Sequence, residues 1–371
     1  MKLYLPLVLL AATACSALAD TVQWSKEKAN KWYDSLPWLV GANYNPASAI
    51  NQLEFWQADT FAPEEIDKEL GWAEAIGMNT MRVYLHDLLW KQDSEAFLDR
   101  VDQFLAIAAK HNIRPLLVLL DDVWNPDPKA GPQPAPTPGV HNSGWVQSPG
   151  RAILQDESRW DTEVKPYVQG VIARFKDDPR VLGWDLYNEP GNLNNEHYRP
   201  LEPKNKEELS LKLLAKVFAW AREMDPSQPL TAGVWTGDWW SDPDKLSPLN
   251  KYQIENSDVI SFHAYTTLDK TKQMGDALFA YGRPVLCTEY LARTAGSTFE
   301  DILPYLHEKR IAAYNWGFVA GKSNTIHGWD TWKKADEGEP EVWFHDIFRP
   351  DGTPYDPAEV ALIKKLSGKA D

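Results

Sequence analysis

Cysteine is almost missing, with Cys15 and Cys287 the only two in 371 residues. Cys15 lies in a leading segment expected to be removed, so no intramolecular disulfide can brace the fold and a large buried core must do so. Positive charge is scarce too. There are 38 Lys and Arg against 53 Asp and Glu, a net charge of −15. That balance argues against nucleic acid or an anionic membrane surface as a partner and favours an uncharged one. Beyond the first residues no stretch is apolar enough, at bilayer length, to cross a membrane. Asn-x-Ser/Thr sequons are absent, which favours a bacterial secreted protein over a eukaryotic one. Several reaction motifs are missing as well. Gly321-Lys322-Ser323 has Trp316 where a phosphate loop needs its first glycine, His307-Glu308 has no second histidine for zinc, and no Gly-x-Ser-x-Gly turn exists. Cys287 has no adjacent base and reads as a buried structural thiol.

The leading segment has the layout of a secretory signal peptide. One positive charge at Lys2 precedes a short apolar run, and small residues end at Ala17-Leu18-Ala19 before Asp20. Cleavage is expected after Ala19, giving a leader over 1–19 and one domain over 20–371 that is secreted or periplasmic and monomeric. Lipid attachment through Cys15 is the weaker alternative, because Ala12-Thr13-Ala14 before it is a poor match to that pattern.

The remainder is dominated by repetition. Apolar runs that turn polar at their ends occur at Leu39–Pro46, Thr80–His86, Arg114–Leu120, Val181–Tyr187, Pro229–Trp235, Asp258–Tyr265, Arg283–Tyr290 and Ala312–Phe318. Continuous apolarity, rather than alternation, marks a parallel strand covered on both faces. Helix-period segments separate the runs, as over Phe97, Val101, Phe104, Leu105 and Ala108. Eight strands alternating with helices predict an α/β fold, a single (β/α)8 TIM barrel. A doubly wound sheet would show a glycine-rich turn after its first strand, and Gly41-Ala42-Asn43 has none. Spacing is longest between strands three and four and after strand eight, which predicts long loops at the barrel mouth over 124–150 and 319–345.

Two carboxylates stand at strand ends. Glu189 follows Asn188 at the end of strand four, and Glu289 ends strand seven on the opposite side of the barrel. Desolvation at a strand end would raise the pKa of Glu189, which suits a general acid. Paired carboxyl groups about 5–5.5 Å apart serve a retaining glycosidase, and about 6.5–9.5 Å an inverting one. Arg82, His263, Tyr265 and Trp316 lie near other strand ends, and Asn43 ends the first. Arg82 and Tyr265 could keep Glu289 ionised, and Asn188 could bond a substrate hydroxyl. The 18 tryptophans exceed what a core needs and offer platforms for sugar rings. Trp235, at the end of strand five, is the best placed, with Trp124, Trp145, Trp239, Trp240 and Trp329 as further candidates.

Asn188-Glu189-Pro190, Glu289, Arg82, His263-x-Tyr265 and Trp316 together resemble glycoside hydrolase clan A, in detail family 5 cellulase-like enzymes and the catalytic barrels of family 2. The resemblance covers nearly the whole mature chain and implies a retaining double displacement. Glu189 would then be acid and base, Glu289 the nucleophile, Asn188 the binder of the sugar 2-hydroxyl, and Trp316 the floor beneath the cleaved ring. One departure is that family 5 enzymes often carry a histidine soon after strand three, where this chain has Asp121-Asp122-Val123-Trp124. The implied function is cleavage of β-glycosidic bonds in a neutral polysaccharide or oligosaccharide, with a β-1,4 glucan, mannan or xylan leading. Two carboxylates and water suffice for this reaction, so no metal or organic cofactor is expected. Rival readings are an exo-acting β-glycosidase of β-mannosidase, β-galactosidase or β-glucosidase type, its cleft blocked by the long loops, and a non-catalytic carbohydrate-binding barrel.

Overall fold

The computed structural model describes residues 23–369; the expected leader, its cleavage point and Cys15 lie outside the described residues. Eight strands form one parallel sheet: β1 (Val40–Tyr44), β2 (Thr80–Tyr84), β3 (Arg114–Asp121), β4 (Gly183–Asn188), β5 (Leu230–Thr231), β6 (Ile260–His263), β7 (Val285–Tyr290) and β8 (Ala312–Trp316). Their order is β5-β4-β3-β2-β1-β8-β7-β6, with every neighbouring pair parallel. Closure between β5 and β6 rests on a bridge from Val234 to Phe262, where Val234 N donates to Ser261 O at 2.9 Å and His263 N to Val234 O at 3.1 Å. The (β/α)8 barrel expected from the eight apolar runs is the observed fold.

The elements follow local chemistry. Helix Pro63–Ala75 opens on proline with Glu64 and Glu65 in its first turn, where a missing N–H and negative charge are tolerated, and buries Ile66, Leu70 and Ala73. The stripe Phe97, Val101, Phe104, Leu105 and Ala108 is buried as its period predicts. Its helix, however, runs over Asp87–Lys110 with a break at Asp93. Other boundaries differ more. The fifth strand is only Leu230–Thr231, because the run after it leaves the ladder and returns as the single bridge at Val234. Between β5 and β6 the chain forms a short 3-10 turn, Pro243–Lys245, and then the helix Pro248–Asn256, which opens on proline. The helix before β4 enters through a π turn, Trp160–Val164, and continues over Lys165–Phe175.

Two layers of the barrel interior locate the site. At the bottom, Leu39, Leu116, Leu182, Val259, Leu286 and Tyr314 pack together beneath the N-terminal helix Lys26–Asp34, whose Tyr33 plugs the barrel. The Tyr33 hydroxyl donates to Arg310 O at 2.6 Å, and Trp24 N donates to the Asp258 carboxylate at 2.7 Å. At the top, Tyr84, Val118, Trp145 and Trp316 form a separate aromatic layer. Chemistry is therefore left to the C-terminal mouth, the usual place in this architecture. Among the described residues no helix is long and apolar enough to cross a membrane.

Candidate active site

Between the two layers lies a buried polar cluster centred on Arg82, which alternates with Tyr84 on the inner face of β2. Arg82 is fully buried. Its Nε donates to Asp185 at 2.9 Å, Nη2 to Asn188 Oδ1 at 2.7 Å, and Nη1 to Asn43 Oδ1 at 2.9 Å and Glu289 Oε1 at 2.7 Å. Nη1 also reaches the Tyr84 hydroxyl, which itself donates to Glu289 Oε1 at 2.9 Å. Tyr265 donates to the other oxygen, Oε2, at 2.7 Å. Both oxygens of Glu289 thus face donors, which fix the orientation of its carboxylate. Burial holds the Tyr265 phenol well above the usual range, and the nearby Glu289 charge adds to it, so Tyr265 remains a donor.

Irregularity in β7 aims this carboxylate. The register with β6 shifts between Phe262 and His263, pairing His263 with Glu289, and the register with β8 shifts between Cys287 and Tyr290. Such bulges re-aim side chains. Cys287 is buried, its thiol held far above its ordinary range by desolvation, so it stays a packing group.

Glu189 follows β4 with φ +43, a left-handed backbone that costs a non-glycine residue roughly 1–3 kcal/mol. Asp122 pins the turn, accepting from Gly191 N at 2.7 Å, Ser210 Oγ at 2.6 Å and the Tyr187 hydroxyl at 2.9 Å. Glu189 Oε1 meets His263 Nδ1 at 2.8 Å, and Oε2 accepts from Asn192 Nδ2 at 2.6 Å. One ligand atom each from Glu189, His263 and Glu289 lies within 4.8 Å of the others. That set could hold a cation by spacing alone. Both Glu289 oxygens already serve Arg82, Tyr84 and Tyr265, however, and a buried guanidinium beside them opposes a second positive charge.

The carboxylates open into a cavity of about 430 Å³. Of the residues singled out from the sequence, Glu189, Glu289, Asn188, His263, Tyr265, Trp316, Trp124, Trp235, Trp240 and Trp329 line it. Arg82 and Asn43 do not. Asn43 is spent on the scaffold, donating to Thr288 O and Asn315 O at 2.8 and 3.2 Å while accepting from Arg82. Trp145 and Trp239 are no platforms: the first is buried with Nε1 donating to Asp121 at 2.7 Å, and the second packs on Phe262. Asn188 Nδ2 donates to Asp121 Oδ1 at 3.0 Å, so its amide is already oriented from both ends.

Sequence reasoning overlooked Tyr84, Asn192, Asp185, His141, Asn142 and His345. Tyr84 could have been found, since period two places it on the face of Arg82. Asp185 was visible as a lone charge inside an apolar strand. His141, Asn142 and His345 come from the long loops, where no period orders the residues. His141, twenty residues beyond β3 in the loop that follows it, lines the cavity. Burial lowers its pKa to about 4 and puts that of His345 well below the usual histidine value, so both are neutral near pH 7.

The family model described as Cellulase (glycosyl hydrolase family 5) matches residues 73–335, a span that runs from before β2 to the loop after β8. The chain belongs to glycosyl hydrolase family 5. It is thus an O-glycosyl hydrolase, and the alternative of a binding-only barrel falls away. Solved structures with the family 5 hydrolase's fold include the GH5_18 protein from Streptomyces cattleya in complex with GlcNAc, at 11% identity and TM-score 0.61 over 90% of this chain and 80% of that one. The endo-1,4-β-mannanase from Rhizomucor miehei aligns at 13% identity and TM-score 0.57, covering 88% of this chain and 97% of that one. An exo-β-1,4-mannosidase from Opitutaceae bacterium strain TAV5 aligns at 20% identity and TM-score 0.55, covering 89% and 59%. Identities this low show a shared fold. No curated protein sequence matches the chain.

Proposed function

We propose that this family 5 hydrolase cleaves β-1,4-linked neutral glycans of mannan or glucan type with retention at the anomeric carbon. The observation that carries the reading is the unequal treatment of two carboxylates within 4.8 Å of each other. Arg82, Tyr84 and Tyr265 all donate to Glu289, whereas Glu189 is held by an amide and a histidine on the open side. The short separation fits retaining geometry rather than the wider inverting one. A neutral substrate fits the cavity, whose lining contains no Lys or Arg. Mannan-type linkage draws support from the fold neighbours, two of which are named as β-1,4-mannan enzymes.

In the proposed reaction a Glu289 oxygen attacks the anomeric carbon while the glycosidic bond breaks. Its electron pair goes to the leaving oxygen, which takes the Glu189 proton. Glu189 then removes a proton from water, the water oxygen bonds to the anomeric carbon, and Glu289 departs as a carboxylate. Arg82, Tyr84 and Tyr265 orient and charge-stabilise Glu289, Asn188 meets the ring's 2-hydroxyl, and Trp316 underlies the ring. Replacing Glu289 by Ala should abolish hydrolysis of β-1,4-linked manno- and gluco-oligosaccharides, and NMR of wild-type products should show the retained anomer first. Undiminished turnover in E289A, or initial inversion, would sink this reading.

A further inference from the structure

One side of the cavity is bordered by a seam between two loops, from which Trp124, His141 and Asn142 line it. From the β3 loop, Asn142 N donates to Ser323 O at 2.9 Å and His141 N to Thr331 Oγ1 at 2.9 Å; from the β8 loop, Asp336 N donates to Gly139 O at 3.0 Å. Asn324 Nδ2 ties in Thr137 O at 3.0 Å, and Trp124 stacks on Trp332 with ring centres 5.5 Å apart. The approach is intimate: a Cβ on Gly139, whose φ is +66, would stand 2.2 Å from Asp336 O. In the barrel order these loops belong to strands separated by β2 and β1, so the seam roofs that half of the mouth. The opposite half is lined by Trp235, Thr236 and Thr266 from the loops after β5 and β6.

Polar groups of one kind furnish the roofed end. His141 Nδ1 lies 2.9 Å from His327 O, and His345 Nδ1 bonds Leu291 O. A carbonyl can only accept, so in each neutral ring Nδ1 carries the hydrogen and Nε2 is an acceptor. Asn142, with φ +45, lines the cavity with its amide buried, and neither the amide oxygen nor the nitrogen has a protein partner; the buried His345 Nε2 has none either. A second cavity of about 20 Å³ beneath Asn142 has room for one water, enough for one side of that amide. Two acceptors and an amide suit hydroxyls, which both donate and accept. They would repel the carboxylate of an acidic sugar.

We propose that Asn142, His141 and His345 form a terminal subsite that grips the hydroxyls of the non-reducing-end sugar, so that the enzyme removes sugars one at a time from the chain end. This rests on the proposed roles of Glu189 and Glu289. With the anomeric carbon between them and Trp316 beneath the ring, the leaving group departs towards Trp235, whose Nε1 donates to Pro190 O at 3.2 Å beside Glu189. The ring's far hydroxyls then face the seam, and a chain continuing beyond them would collide with it.

The test uses wild-type protein, N142A and β-1,4-linked manno- and gluco-hexaoses labelled at the reducing end. Wild type should release monosaccharide and leave labelled pentaose first. It should not cleave the same hexaose methylated on its terminal 4-hydroxyl. Early mid-chain fragments, or equal rates on capped and uncapped hexaose, would overturn the proposal while leaving the Glu189–Glu289 reading intact. Failure of wild type to hydrolyse any hexaose, capped or not, would sink both. Aryl β-glycosides deoxygenated singly at C3, C4 or C6 then assign Asn142. At the position it reads, wild type should lose about tenfold in kcat/KM, as for one lost hydrogen bond, and N142A should lose nothing further. Penalties that multiply at every position would remove Asn142 from the subsite.

Discussion

Tyr265 offers the sharpest probe of the proposed chemistry, because one oxygen atom can be removed with little else disturbed. Its hydroxyl donates to Glu289 Oε2 at 2.7 Å, while its ring packs edge-on against Trp329 with centres 5.2 Å apart. Tyr265→Phe keeps the ring contact and deletes the donor. A hydrogen bond to a charged group contributes roughly 1.5–3 kcal/mol, equivalent to about 10- to 150-fold in rate. The two chemical steps should not share this loss equally. When Glu289 attacks, the donor stabilises the starting carboxylate and its removal partly helps. When Glu289 departs, negative charge returns to it, and the missing donor raises that barrier.

The variant should therefore accumulate the glycosyl-enzyme on a dinitrophenyl glycoside, whose good leaving group makes the first step fast. Stopped-flow absorbance should show a burst of dinitrophenolate followed by a slow phase, with kcat down by tens of fold and KM down with it. Because the phenol is held protonated by burial, the ratio of variant to wild-type kcat should be flat from pH 5 to pH 8. A kcat within twofold of wild type, or a loss of kcat/KM equal to that of kcat with no burst, would refute the assignment.

Two further outcomes follow from buried charge. Asp185 is fully buried and its only hydrogen bond partner among the described residues is Arg82, which keeps Glu289 as a second counter-ion, so Asp185→Asn weakens one charged hydrogen bond and should cost about 1.5–3 kcal/mol in urea unfolding; an unmoved midpoint would show the pair to be dispensable. His141 titrates near pH 4 when folded and near 6.5 when unfolded, so the unfolded chain binds more protons between those values and stability falls on acidification. That group should contribute a loss of about 3 kcal/mol from pH 6.5 to 4, and His141→Gln should show a decline shallower by that amount; parallel declines would exclude the histidine as the cause.

The barrel was legible because its signal is redundant. Eight continuous apolar runs, each relayed by a helix-period segment, leave few alternatives, and misplacing one boundary does not change the architecture. What failed was local. Pro229–Trp235 has the composition of a strand, yet only Leu230–Thr231 pairs as one, because backbone pairing depends on where the neighbouring chain lies. The carboxylate pair was equally legible, since strand-end positions in this fold converge on one mouth. Loop tryptophans were not. Trp145 and Trp329 look alike in sequence, but one is buried against Asp121 and the other is 39% exposed beside the cavity. Trp145 is held by its bond to Asp121, 24 positions away, and Trp329 lies in a loop tied by hydrogen bonds across the seam, between residues nearly 200 positions apart; no local pattern encodes either.

Asp185 shows why an interior charge can belong to the chemistry without touching substrate. Arg82 faces two carboxylates, Asp185 at 2.9 Å and Glu289 at 2.7 Å, so the buried trio carries one net negative charge at rest. In the proposed covalent intermediate Glu289 becomes a neutral ester. Without Asp185, Arg82 would then be an isolated buried cation, and the intermediate would bear the cost of that unpaired charge. With Asp185 present, the cation is balanced before and after attack, and the negative charge that Glu289 gives up reappears on Glu189, which has passed its proton to the leaving oxygen. Glu289 can thus give up its charge without stranding the group that holds it in place.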